Sequence, residues 1–391
     1  MRKIIIILLI FFTAISYSAP HRIEPGAQRY KIYLPMLKGK RVGVFANQTS
    51  LVGKTHLVDF LLKHKIHVTK IFAPEHGFRG NLDREINNSV DSKTGLPIIS
   101  LYGKQLKPGA EDLKNVDILL FDIQDVGVRF YTYISSLQKF MEGAAENHLP
   151  LIILDRPNPN GFYVDGPVLD LKFKSFTGMQ PIPIVYGMTM GEYAKMLVGE
   201  EWLNLTPKSF AKKLKLTVIA CRHYSHKSLY DPPVKPSPNL PSIQSIYWYP
   251  SIGLMEATVM SVGRGTSHPF QYFGHPSLRT HFTFTPVGQP WDEYPPYYNQ
   301  LCHGWNLSGS KKAVLRKIAN KLQIKYLIMA YNLYPDKEHF FAGFNYMAGN
   351  DVLSKQIQAG MSEKEIRQSW QPQLRTFKKI RKKYLLYQDF T

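Results

Sequence analysis

The sequence predicts an α/β fold, a mostly parallel and doubly wound sheet, followed by a second, smaller α+β domain. Three observations carry this expectation. Near-continuous apolar runs alternate with amphipathic helical patterns from about residue 40, as they do when a parallel sheet is covered on both faces. That alternation fades after about residue 225. The chain has 391 residues, which is more than one hydrophobic core usually serves.

In order, "RVGVFANQTS" reads as a strand and "THLVDFLLKHK" as an amphipathic helix. "HVTKIFA", "PIISLYG" and "VDILLFDIQDVG" follow as strands, then "YISSLQKFMEGAAENH" as a helix and "LPLIILDRPNPNG" as a strand. "TMGEYAKMLVGEEWL" has helical periodicity with Thr189 as its cap. The proline-rich "YDPPVKPSPNLPS" reads as a linker or the wall of a cleft. Beyond it, "KKAVLRKIANKLQI" and "SEKEIRQSWQPQLRTFKKIRKKYLLY" look helical. The expected organisation is a signal peptide over 1–18, an α/β domain over 19–242 and an α+β domain over 243–391.

The opening "MRKIIIILLIFFTAISYS" has a basic start, an apolar run and small residues at its end, the pattern of a cleaved export signal. Its apolar run is short for a membrane span of roughly 20 residues. An exported protein, periplasmic or extracellular, with no stable membrane anchor after cleavage is the expectation. Cys221 and Cys302 are the only cysteines, and they could form one bridge or stand as buried singles. The formal charge of +20 favours anionic partners. With no zinc-finger spacing and no aromatic–basic RNA-binding pattern, nucleic acid is not the expected one.

Ligands of such sheets sit beyond the carboxyl ends of the strands. The polar clusters follow strand candidates: Asn47 and Gln48, Glu75 and His76, Tyr102, Asp122 through Arg129, and Asp155 through Asn158. No dinucleotide, P-loop or serine-hydrolase signature is present, and no cofactor is expected. In "FAPEHGFRG", Glu75 beside Pro74 and Phe78 could be desolvated enough to act as a general acid, or could merely cap a turn or pair with Arg79. In "FDIQDVGVRFYTY", Asp122 reads as a structural acid and Asp125 begins the loop, while Arg129, Tyr131 and Tyr133 suit a polar, planar ligand or an aromatic-rich helix start. Arg156 and Asn158 are ligand candidates in "LDRPNPNG". Glu75, His76, Asp122 and Asp125 could also hold a metal, but no H-E-x-x-H or H-x-H spacing supports one.

Taken together and in order, "ANQTS", "APEHGFRG", "TGLPIISLYG", "FDIQDVGVRFYTY", "LDRPNPNG", "DGPVLD", "YGMTMGEYA", "PSPNLP" and "GRGTSHPFQYFG" resemble the NamZ family of exo-β-N-acetylmuramidases, formerly DUF1343. The resemblance runs from about residue 40 to "KKYLLY". It implies a glycoside hydrolase that removes N-acetylmuramic acid (MurNAc) from the non-reducing ends of peptidoglycan fragments. It also implies a Rossmann-like first domain and a cleft between the two domains.

By the same resemblance Glu75 is the catalytic acid, with His76 and Arg79 holding it. Asn47, Gln48, Tyr102, Gln124, Tyr131, Asn158 and Asn239 are the candidates for binding substrate. Arg129, Arg156 or Arg264 would meet the lactyl carboxylate of MurNAc. Glu256 and Asp125 are both candidates for a second carboxylate, and the 2-acetamido group of the sugar could itself be the nucleophile. In "EATVMSVGRGT", Val262 stands where the family pattern carries another acid. That departure gives some weight to a non-catalytic, exported muropeptide-binding protein as the alternative.

Overall fold

The computed structural model describes residues 22–79, 87–207 and 210–390; the expected export signal lies outside them. The main sheet has seven strands, numbered in chain order: β1 Arg41–Ala46, β2 His67–Ala73, β3 Ser89–Val90, β4 Pro97–Ser100, β5 Ile118–Asp122, β6 Leu151–Leu154 and β7 Leu216–Ile219. Their spatial order is β7-β6-β5-β1-β2-β4-β3. All neighbours are parallel except the edge pair β3 and β4.

Successive side chains of a strand point to opposite faces, and the packing follows that period. Phe45, Phe72, Leu119, Phe121, Leu151 and Ile153 face one way, onto Leu137, Phe140 and Met141 of the helix Tyr133–Glu146. Val44, Ala46, Ile71, Leu120, Ile152 and Leu154 face the other, onto Tyr33 and Leu37 of the helix Tyr30–Leu37 and Leu57 and Leu61 of the helix Leu57–Lys63. Apolar residues fill both faces of the central strands β1, β5 and β6, which is why their runs look continuous in the sequence. The sheet is doubly wound. From β1 the chain moves outward through β2 to β4, then crosses back to β5 on the other side of β1. The switch point is therefore between β1 and β5.

The second part of the chain contains a helix Ile243–Ile252, a 3₁₀ turn Gly253–Ala257 and a three-stranded antiparallel sheet of Tyr272–His275, Cys302–Asn306 and Phe282–Phe284. Six helices follow between Lys311 and Lys382. The apolar core is continuous with that of the first part: Tyr247, Trp248, Leu254, Phe273, Leu327 and Phe377 belong to the same cluster as Phe45 and Phe140.

Several local expectations change. After "LPLIILDRPNPNG" the chain adds an unexpected two-stranded antiparallel ribbon of Asp165–Val168 and Pro183–Val185 outside the main sheet. The helix over "KKAVLRKIANKLQI" stops at Ile318 because Ala319 and Asn320 turn left-handed. The last helical stretch is two helices, Glu363–Ser369 and Gln371–Lys382, with Pro372 in the first turn of the second, where it lacks no needed donor. Thr189 caps its helix as expected, in a reciprocal arrangement with Glu192. Cys221 and Cys302 are both buried and free.

Candidate active site

Where β2 ends, Pro74 cannot continue the ladder and the chain turns, closed by Gly77 N–H donating to the Pro74 carbonyl at 3.0 Å. His76 and Gly77 both lie in the left-handed region, at φ 68° and 74°. For a histidine this conformation is strained, a cost of about 1–3 kcal/mol that concentrates at functional sites. The turn brings Glu75 and His76 to the wall of a cavity of about 200 Å³. Strain and exposure of an acid coincide here.

The cavity is built from both parts of the chain. Tyr102, Phe130, Tyr131 and Thr132 come from the ends of β4 and β5, Ser237 and Asn239 from the proline-rich segment, and Tyr249, Glu256, Arg264 and Phe270 from the second part. Thr132 donates its hydroxyl to Glu75 Oε2 at 2.6 Å. Glu256, on the 3₁₀ turn, has its carboxylate 3.6 Å from the guanidinium of Arg264. Asp292 fixes Arg264 from behind, accepting from Nη2 at 2.8 Å and from Nε at 3.2 Å.

The floor is aromatic. Phe130, Tyr131, Tyr249 and Phe270 are buried, and Tyr249 packs edge-on against the other three. Burial, then the charges of Glu256 and Glu75, push the Tyr249 phenol well above its ordinary range. Both glutamates are thus within electrostatic reach of one ring. Two carboxylates, an arginine and an aromatic floor form a site able to protonate a leaving group, hold an anion and seat a sugar ring.

Of the residues expected at the site, Glu75, His76, Tyr102, Tyr131, Asn239, Glu256 and Arg264 line this cavity. The others do not. Asn47 is buried, donating to Tyr133 OH at 3.0 Å and accepting from Thr49. Gln48 donates to the carbonyls of Lys235 and Pro236, so the proline-rich segment closes over the switch point. Gln124 bridges the carbonyls of Asp125 and Pro157, and Asn158 ties Met188 to Asn160. Arg79 is paired with Asp91 at 2.9 Å and stacks on Phe78, away from Glu75.

Three corrections concern charged groups. Asp125 is no cavity carboxylate: it is buried, accepts from Tyr186 OH and from Gly127 N, and burial pushes its carboxyl up to about 6. Arg129 meets no ligand either. It donates to the carbonyls of Pro167, Ile182, Met347 and Ala348, and burial lowers its guanidinium to about 9. Arg156 is locked onto Asp122 by bonds of 2.5 and 2.8 Å.

Thr132, Tyr249, Phe270 and Asp292 were not foreseen. Thr132 had a signal, since it sits among the residues of "VRFYTY". Phe270 had one too, lying in "GRGTSHPFQYFG", whereas Tyr249 and Asp292 come from segments remote in sequence with no motif to join them to Glu75. Among the described residues, no group of three or more His, Cys, Asp or Glu is placed to hold a metal ion.

Residues 42–244 match the family model "Exo-beta-N-acetylmuramidase NamZ, N-terminal", and residues 247–387 match its C-terminal counterpart. A curated relative from Bacillus subtilis (strain 168), "Peptidoglycan beta-N-acetylmuramidase NamZ", is 39% identical over 387 residues, covering 91% of this chain and 89% of the relative. A solved DUF1343 family protein from Bacteroides fragilis NCTC 9343 is 46% identical with a TM-score of 0.86, covering 94% of this chain and 100% of that one. Another from the same organism is 29% identical with a TM-score of 0.77, covering 94% and 99%.

Proposed function

Because the chain belongs to the NamZ family of exo-β-N-acetylmuramidases, we propose that its cavity takes the terminal MurNAc of a peptidoglycan fragment and hydrolyses the glycosidic bond behind it. The observation that carries this reading is Glu75, held at the cavity wall by a strained turn and bonded through Oε2 to Thr132. With Oε2 engaged, Oε1 is the atom that carries the proton and gives it to the departing glycosidic oxygen. The C–O bond breaks, water supplies the hydroxyl to the sugar carbon, and a water proton restores Glu75.

Glu256 is the second carboxylate at the cavity and takes the role that Asp125, beneath the floor, cannot. Of the three candidate arginines, Arg264 alone lines the cavity, and it is the partner for the lactyl carboxylate. Tyr131, Tyr249 and Phe270 offer aromatic faces to the apolar face of the sugar. The basic, apolar start of the chain supports export to where peptidoglycan fragments are found, and the charge of +20 favours an anionic wall fragment.

The test is incubation of the protein with a MurNAc–GlcNAc disaccharide (GlcNAc, N-acetylglucosamine), with mass-spectrometric detection of free MurNAc and with Glu75→Gln in parallel. Release by the wild type and not by the variant is expected. Tight binding of the disaccharide by the wild type without release would make this a muropeptide-binding protein instead.

A further inference from the structure

The cavity has a closed end and a mouth. Phe130, Tyr131, Tyr249 and Phe270 close it with buried rings, while Tyr102, Thr177, Glu256 and Arg264 are half-exposed. If MurNAc fills such a pocket, as the functional reading above requires, the rest of the glycan chain lies across the mouth. The segment 286–300, between the strands Phe282–Phe284 and Cys302–Asn306, packs against Arg264 and Gly265 beside that mouth.

This segment is fastened to the cavity wall. Val287 N–H donates to the Gly265 carbonyl at 2.9 Å, Asp292 holds Arg264, and Trp291 Nε1 donates to Asn239 Oδ1 at 3.4 Å. Two of the three anchors, Arg264 and Asn239, are themselves cavity residues. Two and six residues beyond Asp292, the segment turns two tyrosines outward. Tyr294 is 69% exposed and Tyr298 39%, and their rings meet edge to face at 5.4 Å. Between them Tyr297 points inward and donates to the Val259 carbonyl at 2.5 Å, pinning the base of the pair.

Rigidly mounted tyrosines are suited to sugars, because the ring face covers apolar C–H groups and the hydroxyl can bond to sugar hydroxyls. We propose that Tyr294 and Tyr298 form a platform for the sugars of the peptidoglycan strand beyond the first leaving-group residue. The enzyme then recognises an extended glycan, and not only its terminal disaccharide.

The test compares a MurNAc–GlcNAc disaccharide with a hexasaccharide bearing MurNAc at its non-reducing end, using the full chain and the variant Tyr294→Ala/Tyr298→Ala. Tyr294 is largely in water and Tyr298 is 39% exposed, so the melting temperature falls by no more than a few degrees. The expected result is a fall of about tenfold in kcat/KM on the hexasaccharide, mostly through KM, with the disaccharide value kept within about twofold. An equal fall on both substrates, or no fall on either, overturns the platform. A wild type inactive on both overturns the functional reading and the platform with it, whereas an active wild type and an unaffected variant overturn the platform alone.

Discussion

Glu75 and Asp125 are both acids just past the end of a parallel strand, β2 in one case and β5 in the other, yet they serve opposite ends. Glu75 faces the cavity with one oxygen bonded to a single hydroxyl. Asp125 is buried under the aromatic floor and organises its own loop through Tyr186 and Gly127. The arginines divide the same way. Arg129 sits in the interior joining carbonyls of residues 167 and 182 to those of 347 and 348, while Arg264 lines the cavity beside Glu256. Arg129 bolts the two parts of the chain together, whereas the acid lies one strand from the switch point, on the turn after β2, and meets Glu256 and Arg264 from the second part across the cavity.

The largest expected effect tests the acid itself. Glu75→Gln keeps the Thr132 bond acceptor and the fold but removes the proton, and kcat should fall by about 10³. Asp125→Asn, which still accepts from Tyr186 and Gly127, should leave kcat within about threefold. Loss of turnover in the second variant, with its melting temperature preserved, would erase the distinction between the two acids. Arg129→Met should act on stability: four buried carbonyls lose their donor, and urea unfolding should show a loss of about 3 kcal/mol. If its stability is unchanged, Arg129 does not tie the two parts of the chain together.

The pH dependence sharpens the same contrast. Burial raises Asp125 to about 6 in the folded chain and does the same to Asp155. A raised carboxyl binds its proton more tightly folded than unfolded, so its contribution is complete below pH 4 and is lost as pH rises through 6. Asp125→Asn should remove a stability decrease of about 2–3 kcal/mol between pH 4 and 7, measured as the difference between the two proteins' urea unfolding energies at each pH. Identical pH profiles for the two would show that Asp125 does not keep its proton. A smaller loss than that of Glu75→Gln belongs to Thr132→Val, which deletes one hydrogen bond to Glu75 and should cost about tenfold in kcat. A change in KM alone would place Thr132 in sugar binding instead.

Much of this was legible in the chain. The near-continuous apolar runs that end in Asp122 and Leu154 announced a sheet covered on both faces, and the Thr189 cap with Glu192 three residues on marked a helix start. The abrupt stop at Pro74 located Glu75. What stayed hidden is which strand-end groups are satisfied internally, because that depends on partners far away in sequence. Gln48 finds carbonyls 187 and 188 residues on, and Arg129 finds them 218 and 219 residues on. No local pattern encodes such pairings. The same holds for Asp292 and Tyr249, which reach the site only through the packing of the second part against the first.

The most direct measurement of the central claim is single-turnover release of MurNAc from a MurNAc–GlcNAc disaccharide by the wild type, Glu75→Gln and Asp125→Asn. The account predicts release by the wild type and by Asp125→Asn, and a rate lower by about three orders of magnitude for Glu75→Gln. Full activity in Glu75→Gln, with Asp125→Asn inactive but folded, would contradict it and move the catalytic acid beneath the floor.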